Sequence, residues 1–298
     1  MPDIAWWPLL AGLGLFLFGM RLMEEALSRL AGRPFKLFLR RHTQKSVKAI
    51  IAGTITTAVL QSSTLVTLLV MSFTGAGIIG LKNAIGIILG ANLGTTFTGW
   101  IISLLGFKLN IHSAVLPVLA AGGLGPACLK TERLLSFSKF LMGFGFLFMG
   151  LEFMKNSFSQ IAENFPIQAL QGQPLFIFLI AGFLLTAAIQ SSSASVAIYL
   201  SAMAAGIIQL PQGAFLVMGS DLGTTVTALL GTLRANAIRK KTGYAHFFIN
   251  VIQILPALML WKGYFFFIDR VGVTDPLVAL VFFQSLMNLT GILVLTPW

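Results

Sequence analysis

The sequence predicts an all-α polytopic membrane protein made of two inverted-topology repeats, each with a re-entrant helical hairpin and a broken transmembrane helix. Three observations predict it. The composition is apolar with long stretches nearly free of charge, the basic residues gather in a few segments, and a pair of polar motifs occurs twice at one fixed spacing.

Apolar residues make up 56% of the 298 and charged residues only 10%, where a soluble domain would carry roughly a quarter. Mean hydropathy is +0.89. These values exclude a water-soluble enzyme, and they exclude a nucleic-acid binder despite a net charge of +11. Residues 175–233 contain no Lys or Arg and a single acid, Asp221. The lone cysteine, Cys128, rules out a disulfide framework and a Cys-based metal site. No Ser has an evident His and Asp partner, and no acidic or His cluster has metal-ligand spacing. Neither an enzyme nor a bound cofactor is therefore expected.

The N-terminal run does not read as a cleavable signal, because no basic residue precedes Arg21. Residues 24–48 mix Arg29, Arg33, Lys36, Arg40, Arg41, Lys45 and Lys48 with Leu30, Phe35 and Phe38. That mixture reads as an amphipathic helix on the anionic cytoplasmic leaflet. The N-terminus is then outside, and the location is the bacterial cytoplasmic (inner) membrane, with lipids as neighbours. Residues 47–80 are too long for one span of about 20 residues and too short for two. A hairpin entering and leaving on the cytoplasmic side fits them. Residues 84–105 go out, 112–128 return and 134–154 go out again. A second hairpin, 174–210, enters from outside, and 213–233, 244–261 and 277–297 complete the bundle. The first repeat covers residues 1–133. The second, with a C-terminal span, covers 134–298, within a single transmembrane domain.

The repeat is visible in the letters. Shifted by 129 positions, Gln61-Ser62-Ser63 falls on Gln190-Ser191-Ser192, and Gly90 to Thr96 (GANLGTT) on Gly219 to Thr225 (GSDLGTT). Across residues 61–98, 15 of 38 positions are identical. Shared Leu, Gly and Ile follow from membrane composition, but polar runs inside apolar segments do not. With one hairpin entering from each side, the repeats have opposite orientation, the design of many secondary transporters.

Non-helical backbone at membrane depth survives only where it is buried in protein or lines a cavity. The polar runs near the middle of each hairpin should be the tips, Gln61 to Thr64 and Gln190 to Ser193. A helix starts at each, presenting free N–H groups and the positive end of its dipole. Gln61, Ser62, Ser63 and Thr64 with Gln190, Ser191, Ser192 and Ser193 would form an oxyanion cradle. No Lys or Arg lies near either tip in sequence, so cations should bind with the anion. Gly90, Gly94, Gly219 and Gly223 are expected to let their helices open. Asn92, Thr95, Thr96, Asp221, Thr224 and Thr225 supply hard oxygen ligands suited to sodium. An acid at membrane depth, such as Asp221, is a functional candidate by default.

Paired QSS hairpins, each followed by a G-[AS]-[ND]-L-G-T-T stretch, resemble the type II sodium–phosphate cotransporter family over most of the chain. Ala245-His246-Phe247-Phe248-Ile249-Asn250 is similar to that family's A-H-x-x-F-N stretch, and Gln284 and Asn288 repeat its spacing. The resemblance implies sodium-coupled movement of inorganic phosphate, substrate at the QSS tips and sodium on the broken helices. Ser195, Asn250 and Asn288 join the sodium-binding set on this basis. The first tip departs from the family pattern by reading Q-S-S-T, Asp221 stands where many relatives have Asn, and Leu109 to His112 replaces a first A-H-x-x-F-N copy. Many bacterial members also carry a soluble helical tail beyond the point where this sequence stops. Sodium, as coupling ion, and phosphate are the expected partners, and a homodimer is left open. A sodium-coupled carrier of another small anion, such as a carboxylate or sulfate, and a passive anion channel fit the same residues.

Overall fold

The structure, a computed structural model, describes residues 6–42, 45–107, 111–164, 170, 172–233 and 235–296. Among them every regular element is helical. The first half begins with α1 (Trp6–His42), followed by the hairpin α2 (Ser46–Leu60) and α3 (Ser63–Gly75). Next come α4 (Leu81–Ile101) with a π-helical turn at Ile102–Gly106, α5 (Ile111–Cys128) and α6 (Glu132–Asn164). The second hairpin is α7 (Leu175–Ile189) and α8 (Ser192–Ala204). It is followed by α9 (Leu210–Gly223), α10 (Thr225–Leu230), α11 (Ala237–Arg270) and α12 (Pro276–Leu295).

Among the described residues six stretches are long and apolar enough to cross a membrane: Trp6–Ala31, Leu81–Gly106, Glu132–Glu163, Leu210–Leu230, Ala237–Arg270 and Pro276–Leu295. The four hairpin limbs are different. At 13 or 15 residues each they reach about 20 Å, short of a hydrocarbon core of about 30 Å. Residues 24–48 were expected to form a separate surface helix, and over residues 24–42 the structure corrects the sequence. They continue α1 without interruption. No Gly or Pro falls between Arg21 and Leu30, and Glu24, Glu25, Ala26 and Leu27 carry the helix forward.

In lipid the hydrophobic effect does not hold helices together, so close packing must. The halves solve this alike. A methyl group at Gly90 would lie 1.9 Å from the Ile50 carbonyl oxygen, and one at Gly53 would lie 2.1 Å from that of Ile87. The same contacts recur in the second half, with Gly219 against Leu179 at 2.0 Å and Gly182 against Leu216 at 2.1 Å. Helices α2 and α4, and likewise α7 and α9, therefore touch backbone to backbone. The expected opening of the glycine-containing helices is corrected by the same contacts. α4 runs unbroken through Gly90 and Gly94. Between α9 and α10 only Thr224 interrupts the helix, with right-handed helical dihedrals and its N–H still bonded to the Ser220 carbonyl. These glycines are sites of contact.

α1 lies along α6 through a comparable crossing, where Gly12 and Gly19 meet Gly150 and Gly143. Behind the second hairpin, α8, α9 and α12 share an apolar core that includes Leu200, Val217, Leu280 and Phe283, all fully buried. α11 bends at Leu260, where φ is −118° and ψ is 18°. This frame fixes the ends of the four short limbs relative to α1.

Candidate functional site

Each hairpin turns on a glutamine. Gln61 (φ 56°, ψ 24°) and Gln190 (φ 59°, ψ 26°) both adopt the left-handed conformation. No other non-glycine residue among those described has a positive φ. Such backbone costs on the order of 1 kcal/mol or more per residue and persists only where its surroundings enforce it. The turn delivers the next residue as a helix N-cap. Ser62 Oγ accepts from the Leu65 N–H at 3.2 Å, and Ser191 Oγ accepts from the Ala194 N–H at 3.3 Å. The N–H groups of Ser63, Thr64, Ser192 and Ser193 precede the first intrahelical bond of α3 and α8 and remain available.

The tips share one cavity of about 440 Å³. Gln61, Ser62, Ser63 and Thr64 line one part, and Gln190, Ser191, Ser192 and Ser193 another. All eight residues expected to bind substrate are thus brought together. Gln61 is also a brace, since its amide nitrogen donates to the Ala58 carbonyl at 2.5 Å and its amide oxygen accepts from Thr98 at 2.8 Å.

α1 supplies a third wall through Leu17, Met20, Arg21 and Glu24. Their spacing of i, i+3, i+4 and i+7 is one face of a helix. Arg21 brings a cation to the chamber and Glu24 a carboxylate, both lining the same cavity as Ser62. The sequence reading missed both residues. Their signal, a charged pair continuing an apolar helical stripe, was present but pointed equally to a solvated helix end.

A second, much smaller cavity of about 10 Å³ lies among Ser63 and Ser192, Asn92 and Asp221, and Thr95 and Thr224, with Asn250 added. The first six are three pairs at the 129-residue spacing. Its volume suits a single water-sized occupant, and its walls are oxygen-rich. Asp221 Oδ1 accepts from Gln284 Nε2 at 3.0 Å, while Oδ2 is buried with no partner. Asn92 Nδ2 donates to Asn250 Oδ1 at 3.1 Å and to Gln253 Oε1 at 2.7 Å. Gln253 is another polar residue that the sequence reading passed over. Asn288, beside Asp221, has both side-chain amide atoms buried without a partner.

The remaining candidates line neither chamber. Thr96 returns its hydroxyl to its own helix at Leu93, and Thr225 donates back across Thr224 to the Leu222 carbonyl of α9. Ser195 donates to the Ser191 carbonyl and accepts from Thr186 at 2.8 Å. His246 is buried with Nδ1 unpartnered. Leu109, Asn110 and the side chain of His112 lie outside the described residues.

A polar chamber where two hairpins meet, within a bundle holding six membrane-length apolar helices, defines a multi-pass membrane protein with an internal polar site. The profile of the Na+/Pi-cotransporter family matches residues 15–156 and 167–287, and the chain belongs to that family of transporters. "Uncharacterized protein YqeW" of Bacillus subtilis is 30% identical over 288 residues, covering 95% of this chain and 91% of YqeW. "Putative inorganic phosphate export protein YjbB" of Salmonella typhimurium is 27% identical over 294 residues, which is 97% of this chain but 53% of YjbB. The chain thus spans about half the length of that relative. "Sodium-dependent phosphate transport protein 2C" of Homo sapiens is 39% identical over 105 residues, 32% of this chain and 17% of the human protein. No solved structure matches.

Proposed function

We propose that this chain carries inorganic phosphate across the bacterial cytoplasmic membrane, coupled to sodium, by alternating access. The observation that carries this reading is the single cavity lined by both QSS tips and Arg21. Hydroxyls, two helix N-termini and one guanidinium converge there, a donor-rich site for a tetrahedral oxyanion. Family membership supports phosphate as the substrate. The small oxygen-lined cavity at Asn92 and Asp221 is the proposed sodium site, with Ser63, Thr95, Ser192, Thr224 and Asn250 as oxygen donors. The free Asp221 oxygen and the unpartnered Asn288 amide stand ready beside it.

In this reading the hairpins are re-entrant, the halves 1–133 and 134–298 are inverted repeats, and the N-terminus lies outside. The matching tip dihedrals and the duplicated glycine contacts support the repeats, and limbs too short to span support re-entry. The chain works as a carrier without enzymatic activity or cofactor. The name of the Salmonella relative favours outward movement as one physiological direction, which the same cycle performs under reversed gradients.

Reconstitution in liposomes tests the proposal. Radiolabelled phosphate is followed under an inward sodium gradient and, separately, an equal potassium gradient. Accumulation above equilibrium in sodium alone is expected. Equal, merely equilibrating flux in both salts would make the protein a channel. Sodium-driven uptake of another anion without phosphate flux would reassign the substrate.

A further inference from the structure

The donors around the large cavity explain how an oxyanion is held but not how one oxyanion is told from another. Seryl and threonyl hydroxyls, glutamine amides, helix N–H groups and a guanidinium can all donate to phosphate, sulfate or selenate alike. Glu24 is the exception. An ionised carboxylate only accepts, and among the described residues lining the cavity it is the sole acid. It shares the cavity-facing stripe of α1 with Arg21, one turn away. The Ser62 hydroxyl beside it already accepts from the Leu65 N–H, so its proton is directed elsewhere, toward an acceptor.

We propose that Glu24 makes the cavity selective for a tetrahedral oxyanion that carries a proton, by accepting a hydrogen bond from the ligand's own hydroxyl. Arg21 and the two helix N-termini hold the ligand's unprotonated oxygens. The inference rests on reading this cavity as the anion site. At neutral pH inorganic phosphate and arsenate keep at least one proton, whereas sulfate and selenate keep none. A protonated ligand gives Glu24 a short charge-assisted O–H···O⁻ bond. A fully deprotonated ligand sets acceptor against acceptor and leaves the carboxylate unmatched, a loss that specificity sites use to reject close analogues.

The test is displacement of radiolabelled phosphate from the purified protein in lipid nanodiscs at neutral pH and saturating sodium. In the unmodified protein arsenate should displace phosphate, while sulfate and selenate should be weaker by about 100-fold or more. Glu24→Gln offers an N–H, so its phosphate-to-sulfate preference should shrink by about tenfold or more. Glu24→Asp keeps the acceptor and should keep the preference. A carboxylate serving only to pair with Arg21 would leave the ratio unmoved. Sulfate competing as well as phosphate in the unmodified protein overturns the inference without any variant. An unchanged ratio in Glu24→Gln also overturns it, while phosphate binding itself stands. If the folded, unmodified protein binds no phosphate, the reading of the cavity falls, and this inference falls with it.

Discussion

Thr98 donates its hydroxyl to the Gln61 side-chain oxygen at 2.8 Å, tying α4 to the left-handed residue on which the first hairpin turns. The same hydroxyl oxygen accepts from Ser193 at 3.4 Å, reaching the second tip as well. The repeat equivalent of Thr98 is Thr227, whose buried hydroxyl has no partner. Two halves that match in their turns therefore differ in how those turns are braced.

That difference sets a thermal prediction. Thr98→Val leaves the Gln61 oxygen without its donor and should destabilise the protein by about 1–3 kcal/mol. Thr227→Val replaces an unpaired hydroxyl with a methyl of similar shape and should be neutral or slightly stabilising. Unfolding temperatures of both variants in one detergent check the pair, and equal losses would contradict the bracing.

Among the described residues Arg21 is the one cation that lines the large cavity. Arg21→Gln should weaken phosphate binding by about tenfold, the scale of one charge-assisted hydrogen bond, with little change in the sodium requirement. The concentration dependence of phosphate uptake at fixed sodium measures it. Unchanged affinity would remove Arg21 from the anion site.

Asp221→Asn preserves shape and can still accept from Gln284, but it discards the charge. Its sodium titration of uptake should shift several-fold toward higher sodium, while phosphate dependence at saturating sodium moves less. A superimposable sodium curve would confine Asp221 to holding α9 against α12.

At Ser62 and Ser191 two consequences should travel together. Either change to Ala removes an N-cap, at a cost of about 1 kcal/mol, and takes a hydroxyl from the cavity wall. Lower phosphate affinity with retained membrane insertion is expected for both. Wild-type uptake kinetics in both variants would take the tips out of the site.

Gly219→Ala would place a methyl 2.0 Å from the Leu179 carbonyl oxygen, and overpacking of this kind costs about 1–3 kcal/mol. A lowered yield and melting temperature are expected. Gly14→Ala, in α1 where nothing lies within 4 Å, is the matched control and should behave as wild type.

Much of the site was legible because its polar residues are conspicuous against an apolar background. Gln61 to Thr64 and Gln190 to Ser193 were visible as interruptions with a common spacing, and they do share one cavity. The glycines were misread because a spacing of four, as in Gly90 and Gly94, serves helix opening and helix contact equally well. Thr95 and Thr96 show another limit. Neighbours on a helix point about 100° apart, so only Thr95 lines the small cavity, and the letters TT do not say which. Arg21 and Glu24 escaped because they belong to α1, some 40 residues before the tip they face. Their relevance depends on packing that no local pattern records.

The glycine crossings carry one more consequence. Where the backbone at Gly53 rests on Ile87 and that at Gly90 rests on Ile50, no side chain lies between α2 and α4 to act as a bearing. α7 and α9 are joined in the same way. Each pair is a stiff plank, and the left-handed glutamines sit at the plank ends. In the alternating access proposed above, each plank would move as a unit, and the travel of a tip would follow the angle between planks rather than flexing within one of them.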